Sequence, residues 1–323
     1  MCTALRFCRR GHYFGRNLDL EYRYNESVTV TPRNYFIRYK SGEIDRRHYA
    51  IIGMATVIDG YPLYYDATNE FGLSIAALNF EGNALYTSLN DSSIKLAPYE
   101  LALYLLGRCR NLIEAKKLLN SIYLIDLPYK DEIPNSELHW MIGDQNSSIV
   151  IEFSREGKKI YDNPIDVLTN NPPFDFHLNN INNYINLTRD EPQNRFSEDL
   201  KLERISRGLG AMGMPGDNSS ASRFVRAAFT MHNSECLKEE NSELVQFFHM
   251  LRSVEQAEGS VKTKHGFERT QYSSCCDMDK GIYYYTTYKN FEISAVDMKK
   301  ENLESETLMS YRIRDEVQIK YIN

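Results

Sequence analysis

A cysteine stands second in this chain, in MCTALRF, and an arginine and an aspartate follow a few residues later, in HYFGRNLDLEY. These residue types can do chemistry together. Initiator methionine is normally trimmed when residue two is small, and cysteine qualifies. Loss of Met1 would place a free α-amine and a thiol on Cys2, with reference pKa values of about 7.7–8.0 and about 8.5. Base and nucleophile would then share one carbon skeleton and need no separate histidine. Such a site needs a cation beside the thiolate and a carboxylate to orient the α-ammonium. It also needs amide or backbone donors for the oxyanion of a tetrahedral intermediate. Arg16 and Asp19, one hairpin downstream, supply the first two. Asn79, ending GLSIAALN, and Asn170, ending DVLTN, are candidate donors, and Arg223 opens the segment RFVRAAF. From the residues alone a plainer reading stays open. Cys2 can be a buried strand residue, and Arg16 and Arg223 can belong to structural ion pairs.

The elements that must position these groups are legible as periodicities. Residues 2–8 and 12–15 read as a hairpin around Arg10-Gly11. VTVTP (28–32), AIIGMATVID (50–59) and GLSIAALNF (72–80) read as strands. Apolar spacing of three and four over 98–122, with Pro98 in the first turn, predicts two helices meeting near Gly107–Asn111. Strands and turns return at 138–144, 147–153 and 158–170, and helices are predicted at 174–185, 221–232 and 242–255. The chain closes with strands at 271–278, 280–288, 291–298 and near 308–314. Strand blocks at both ends with helices between them predict a layered α+β architecture. Residues 178–204 read as a polar surface excursion, so one domain over 1–323 is expected, with the mature chain starting at Cys2.

Composition excludes several classes. Apolar residues make up 42% and charged residues 25%, ordinary values for a globular chain. The formal net charge of -6, with no basic block, argues against a nucleic-acid partner. MCTALRFCRRGHYF is too short and too soon charged for a secretory h-region, and no stretch nears the roughly 18 apolar residues of a membrane span. A cytoplasmic protein with six free thiols is expected. Phosphate-loop, zinc-helix and nucleophile-elbow signatures are missing, and the seven histidines are scattered. His139, beside Trp140 in an apolar strand, reads as structural. No metal or cofactor is expected.

MCTA, YFGRNLD, TPRNY, YPLYYDATNEFGL, ALNF, IPNSELHW, VLTNNP, GMPGD, SRFVRAAF, QFFHML and YSSCCDMDKGIYYYTTY, in that order, resemble the choloylglycine (conjugated bile acid) hydrolases. This is a branch of the N-terminal-nucleophile hydrolases that stands alongside the penicillin V acylases. The resemblance covers essentially the whole chain. It implies an αββα sandwich of two stacked antiparallel sheets flanked by helices. It implies hydrolysis of the amide joining a bile acid to glycine or taurine, and a homotetramer. Cys2 would be the nucleophile, Arg16 the thiolate-side cation and Asp19 the amine-orienting carboxylate. Asn79 and Asn170 would belong to the oxyanion and α-amine network, and Arg223 would complete the polar centre. Penicillin V acylases typically carry tyrosine where this chain has Asn79, which tilts the expected substrate toward bile salts. VLTNNP stands where LTNSP is frequent, and the first hairpin is short. The loops after Phe80 and around Tyr129–Ile133 are expected to set substrate preference. Leu18, Ile58, Tyr65, Tyr129 and Ile133 are candidate liners of the steroid groove, with core packing as the alternative for each. The rivals are a penicillin V or homoserine-lactone acylase, an acyltransferase using the same thioester, and a catalytically silent binding protein.

Overall fold

Successive side chains of a strand point to opposite faces. Ile51 and Ile52, Ile75 and Ala76, Trp140 and Met141, and Ile149 and Val150 are four adjacent pairs in which every member is buried. Within each pair the two residues belong to different apolar clusters. A sheet so built must be covered on both sides. The structure, a computed structural model, describes residues 1–86 and 94–323 and supplies both covers.

In chain order, β1 (Cys2–Cys8) and β2 (His12–Leu20) form the opening hairpin, and β3 (Ser27–Thr31), β4 (Ile51–Ile58), β5 (Tyr61–Asn69) and β6 (Ser74–Asn79) form a meander. Helices α1 (Leu101–Arg108) and α2 (Leu112–Leu119) follow. Next come β7 (Leu138–Gly143), β8 (Ser148–Ser154), β9 (Gly157–Asp162) and the short β10 (Val167–Leu168). Helices α3 (Phe174–Asn180), α4 (Ser220–His232) and α5 (Ser242–Arg252) precede β11 (Phe267–Asp277), β12 (Ile282–Thr287), β13 (Ser294–Asp297) and β14 (Met309–Arg312).

One sheet has the order β10-β1-β2-β11-β12-β13, and the two-residue strand Val261–Lys262 pairs with β11. The other runs β9-β8-β7-β6-β5-β4-β3-β14. All of these pairings are antiparallel. The sheets face each other where β1 and β2 meet β6. Helix α1 covers the outer face of the second sheet over β4, β5 and β6, while α4 and α5 cover the first over β1, β2 and β11. The layers are helix, sheet, sheet, helix, as expected.

Local chemistry accounts for the site-bearing elements. Ser219 caps α4 by accepting from the Ser222 N–H, and Phe224, Val225, Ala227, Ala228 and Met231 form its buried stripe. Gly15 lies where β2 and β11 approach so closely that a Cβ would collide with the Ser274 carbonyl. The structure corrects some boundaries. The second hairpin strand extends to Leu20, and α5 ends at Arg252. The region expected as helix over 174–185 is α3 plus a 3-10 turn at Ile181–Tyr184. Strand β5 has no counterpart in the periodicity, because its buried face carries Asp66 among apolar residues. Residues 185–208 have no helix or strand and are mostly exposed, as expected of a surface excursion.

Candidate functional site

The hairpin register places the first groups. Cys2 lies opposite Leu18 and Ala4 opposite Arg16, so Arg16 is the diagonal neighbour of Cys2 on one face of the sheet. That face looks toward the second sheet. Arg16 is fully buried, and its Nη1 donates to the carbonyls of Tyr65 (3.2 Å) and Ala77. Its Nη2 has no partner among the described residues. Burial pushes this guanidinium toward losing its proton, but the Cys2 thiol, Tyr272, Asp66 and Asp19 outweigh burial and the net direction is upward. Asp66, fully enclosed, accepts from Tyr272 Oη (2.6 Å), Tyr283 Oη (2.7 Å) and Ser274 Oγ (2.9 Å). Its carboxyl is raised by burial, with Arg16 the leading opposing influence.

On the opposite face, Thr3, Asn17 and Asp19 point toward the helices. Arg223, in the first turns of α4, donates from Nη1 to the Cys2 carbonyl (2.5 Å) and Thr3 Oγ1 (2.7 Å). Its Nη2 donates to Asn170 Oδ1 (2.8 Å) and its Nε to the Asn218 carbonyl (3.1 Å). Burial lowers its pKa, while Asp19 and the Cys2 thiol oppose that. Asn170 Oδ1 also accepts the Cys2 N–H at 2.7 Å. Two donors converge on this atom, so it must be the amide oxygen. The Asn170 amide nitrogen then donates to the Asn79 carbonyl at 2.8 Å.

Asn170 sits two residues beyond β10 and is fixed from several sides. Its N–H donates to Ser220 Oγ (2.8 Å) in the first turn of α4. Buried His177 bonds the Asn170 carbonyl through Nε2 at 3.0 Å, and buried His139 bonds the Thr169 carbonyl through Nε2 at 2.8 Å. Carbonyls only accept, so both Nε2 atoms carry the proton. His139 leans on Glu152 (3.2 Å) and stacks on Phe80. Burial drives the His177 pKa down to about 4. His139 is structural as the sequence suggested, and what it supports is the segment bearing Asn170.

Asp19 is fully buried. Its Oδ1 accepts from Thr270 Oγ1 at 2.6 Å, and its Oδ2 has no partner among the described residues. Burial raises its pKa against the pull of the N-terminus and Arg223. Met1 is joined to Cys2, and its ammonium bonds the Asp19 carbonyl (2.8 Å) and the Glu268 carboxylate (2.5 Å). The carboxylate holding an ammonium in this chain is therefore Glu268. Sequence reasoning missed it, as it missed Thr270, His177, Ser220 and Asp66. Each reaches the site from a distant element, and no local spacing marks it.

The candidate groove residues divide. Leu18 is buried opposite Cys2. Tyr65 lends its carbonyl to Arg16 and shares a hydroxyl bond with Thr56 at 2.9 Å. Ile58 and Tyr129 meet elsewhere, where Tyr129 Oη donates to the Ile58 carbonyl at 2.8 Å beside the Tyr61 and Tyr99 rings. Ile133 lies in a turn closed on Lys130. The hydrogen bonds and ring contacts of these three join Ile58 to Tyr129, Tyr129 to Tyr61 and Tyr99, and Ile133 to Lys130. Of the loop after Phe80, residues 87–93 lie outside the described residues.

All six cysteines are free. Among the described residues no helix is long and apolar enough to cross a membrane.

Comparison with known proteins places this arrangement. The family model for linear amide C–N hydrolases, choloylglycine hydrolase family, matches residues 2–311. The chain is 49% identical over 324 residues to a bile salt hydrolase/transferase of Lactiplantibacillus plantarum, covering 100% of both proteins. It is similar to the crystal structure of the mutant C2A conjugated bile acid hydrolase from Clostridium perfringens, with TM-score 0.93, 37% identity and 100% coverage of both chains. A penicillin V acylase from Agrobacterium tumefaciens superposes with TM-score 0.76 at 18% identity, over 96% of this chain and 90% of that one, which speaks to the fold alone.

Proposed function

The chain belongs to the choloylglycine hydrolase family of linear amide C–N hydrolases, and from that membership and the surroundings of Cys2 we propose the following reaction. The protein is a bile salt hydrolase: it cleaves the amide joining a bile acid to glycine or taurine. With Met1 removed, the Cys2 thiolate attacks the amide carbonyl carbon. The C–N bond breaks, and the departing nitrogen takes a proton from the Cys2 α-ammonium. Water, losing a proton to the same amine, then adds to the thioester, the C–S bond breaks and the bile acid leaves.

Each residue has a task in this reading. Arg16 steadies the thiolate from the diagonal position, and Asp66 is the counter-charge that keeps a buried guanidinium tolerable there. Asn170 Oδ1 already accepts from the Cys2 nitrogen and continues to do so when that nitrogen is an amine. The second N–H of its amide, with the Asn79 side chain, supplies oxyanion donors. Asp19 Oδ2, buried and without a partner among the described residues, is free to receive the ammonium. Arg223 locks the Cys2 carbonyl, Thr3 and Asn170 into one frame. Leu18 and Tyr65 line the groove near the thiol, with Ile58, Tyr129 and Ile133 farther along it. The enzyme acts in the cytoplasm as a homotetramer with neither metal nor cofactor, and its residues form one domain over 1–323.

The observation that carries this reading is the Cys2 N–H bond to an asparagine oxygen that Arg223 also holds. A panel of glycocholate, taurocholate and penicillin V, with intact-mass analysis of the N-terminus, tests it. Release of glycine or taurine by a chain beginning at Cys2 is expected. Fast release of 6-aminopenicillanate with inert bile salts would replace the substrate, and full activity with Met1 retained would overturn the amine-as-base step. A second reading rests on the Lactiplantibacillus relative, a hydrolase/transferase: an amine can capture the same thioester in place of water.

A further inference from the structure

Glu268 is a buried carboxylate that the reaction above leaves without a task. It lies near the start of β11, 7% exposed, and its Oε1 pairs with the Met1 ammonium at 2.5 Å. Its Oε2 has no partner among the described residues. Met1 extends β1 by one residue, since its nitrogen donates to the Asp19 carbonyl and its carbonyl accepts the Asp19 N–H at 2.9 Å. The ammonium therefore sits between a strand backbone and a carboxylate with capacity to spare.

Removing Met1 takes this cation away and creates another one residue along. Successive residues of an antiparallel strand rise about 3.4 Å, so the new ammonium on Cys2 forms within about 6 Å of the same carboxylate. Across a buried gap of that size, opposite charges still interact appreciably. We propose that Glu268 is a positioning residue for the α-amine of Cys2. In the mature chain it exchanges the ammonium of Met1 for that of Cys2, directly or through one water, and keeps this amine basic. The inference deepens the reading above and rests on the removal of Met1.

The groups facing Glu268 favour this exchange. Asp19, on β2, and Glu21, just beyond its end, are like charges that disfavour its ionised form. Arg223, on α4, feels its charge but spends its donors on Cys2, Thr3, Asn170 and Asn218. Burial pushes the Glu268 carboxyl upward and the adjacent ammonium pulls it back. A carboxylate so placed needs a cation, and after processing the Cys2 amine is the cation at hand.

The test compares wild type, Glu268→Gln and Glu268→Asp as full-length enzyme, with intact mass reporting the N-terminal residue and thermal unfolding reporting the fold. The readout is the acid limb of kcat/KM for glycocholate against pH, which reports the free enzyme's base. Glu268→Gln is expected to move that limb to lower pH by roughly half to one unit, because an ammonium that loses a nearby anion releases its proton more readily. Glu268→Asp is expected to fall between and serves if Glu268→Gln does not fold. An unmoved acid limb in a folded, Met1-free variant overturns the proposal. Met1 retention confined to the variants also overturns it, assigning the carboxylate to processing. Active wild type that retains Met1 shows up in the mass spectrum alone, and marks the failure of the underlying reading instead.

Discussion

The two faces of the β1–β2 hairpin make a useful pair. On the face toward the second sheet, one guanidinium, Arg16, stands by the thiol, and its counter-charge Asp66 is saturated by three hydroxyls. On the face toward the helices, Arg223 is saturated by four hydrogen-bond acceptors, while Asp19 and Glu268 each keep one oxygen without a partner among the described residues. The thiol side thus has a cation with a donor to spare, and the amine side has carboxylates with acceptors to spare. One strand separates them, because residues 16 and 19 differ by an odd number and must point apart. A thiolate and an ammonium can be stabilised on neighbouring atoms only if their counter-charges are kept from neutralising one another.

Substitutions on the two faces should differ in size and kind of effect. The largest effect is expected where the faces share an atom group. Cys2→Ala should lower glycocholate hydrolysis at least ~10⁴-fold with the fold intact, and activity within tenfold of wild type would remove Cys2 from the chemistry. Next comes the saturated cation of the helix face. Arg223→Met leaves Asp19 buried without that cation and Asn170 loose, and should cost about 3–5 kcal/mol of stability in urea unfolding.

A subtler test concerns the support beneath Asn170. The folded pKa of His177, about 4, lies below its ordinary value of 6.5. The unfolded chain therefore binds the extra proton as pH falls through that window, and stability drops from pH 6.5 toward 4, by about 3 kcal/mol at most. The unfolding midpoint of His177→Gln should fall less steeply over that range than that of wild type. Buried Asp19, Asp66 and Glu268 are raised and so act in the opposite sense, but they are common to both proteins. Parallel slopes would show that His177 is not the group responsible.

The smallest effect addresses the thiol face. Arg16→Met and Asp66→Asn should each destabilise, and a double-mutant cycle should return a coupling of about 0.5–3 kcal/mol. A coupling near zero would separate Asp66 from Arg16.

Some of this was visible in the order of residues. The hairpin about Arg10-Gly11, the two helices meeting near residues 107–111 and the α4 stripe follow from short-range periodicity and turn chemistry, which act over a few residues. Strand β5 escaped because a buried Asp66 breaks the apolar alternation, and only Arg16 and the hydroxyl partners on β11 and β12 make that burial tolerable. The six polar residues of the proposed centre could be named from type, spacing and ordered motifs. Their division between two faces emerged only in the folded chain, where the second hairpin strand runs on through Arg16 and Asp19 to Leu20.

The rest was decided in three dimensions. The order of residues alone set Cys2 at the start of a hairpin with Arg16 and Asp19 just downstream, because turn chemistry and apolar alternation act over a few residues. It could not determine that Glu268 meets the first ammonium, that His177 and His139 prop consecutive carbonyls, or that Arg223 ties Cys2 to Asn170. Those contacts join residues 30 to 267 positions apart, or seven apart around a turn, and depend on how two sheets and a helix layer pack. Buried polar groups must find partners wherever the fold brings them, and only the folded chain says which ones it brings.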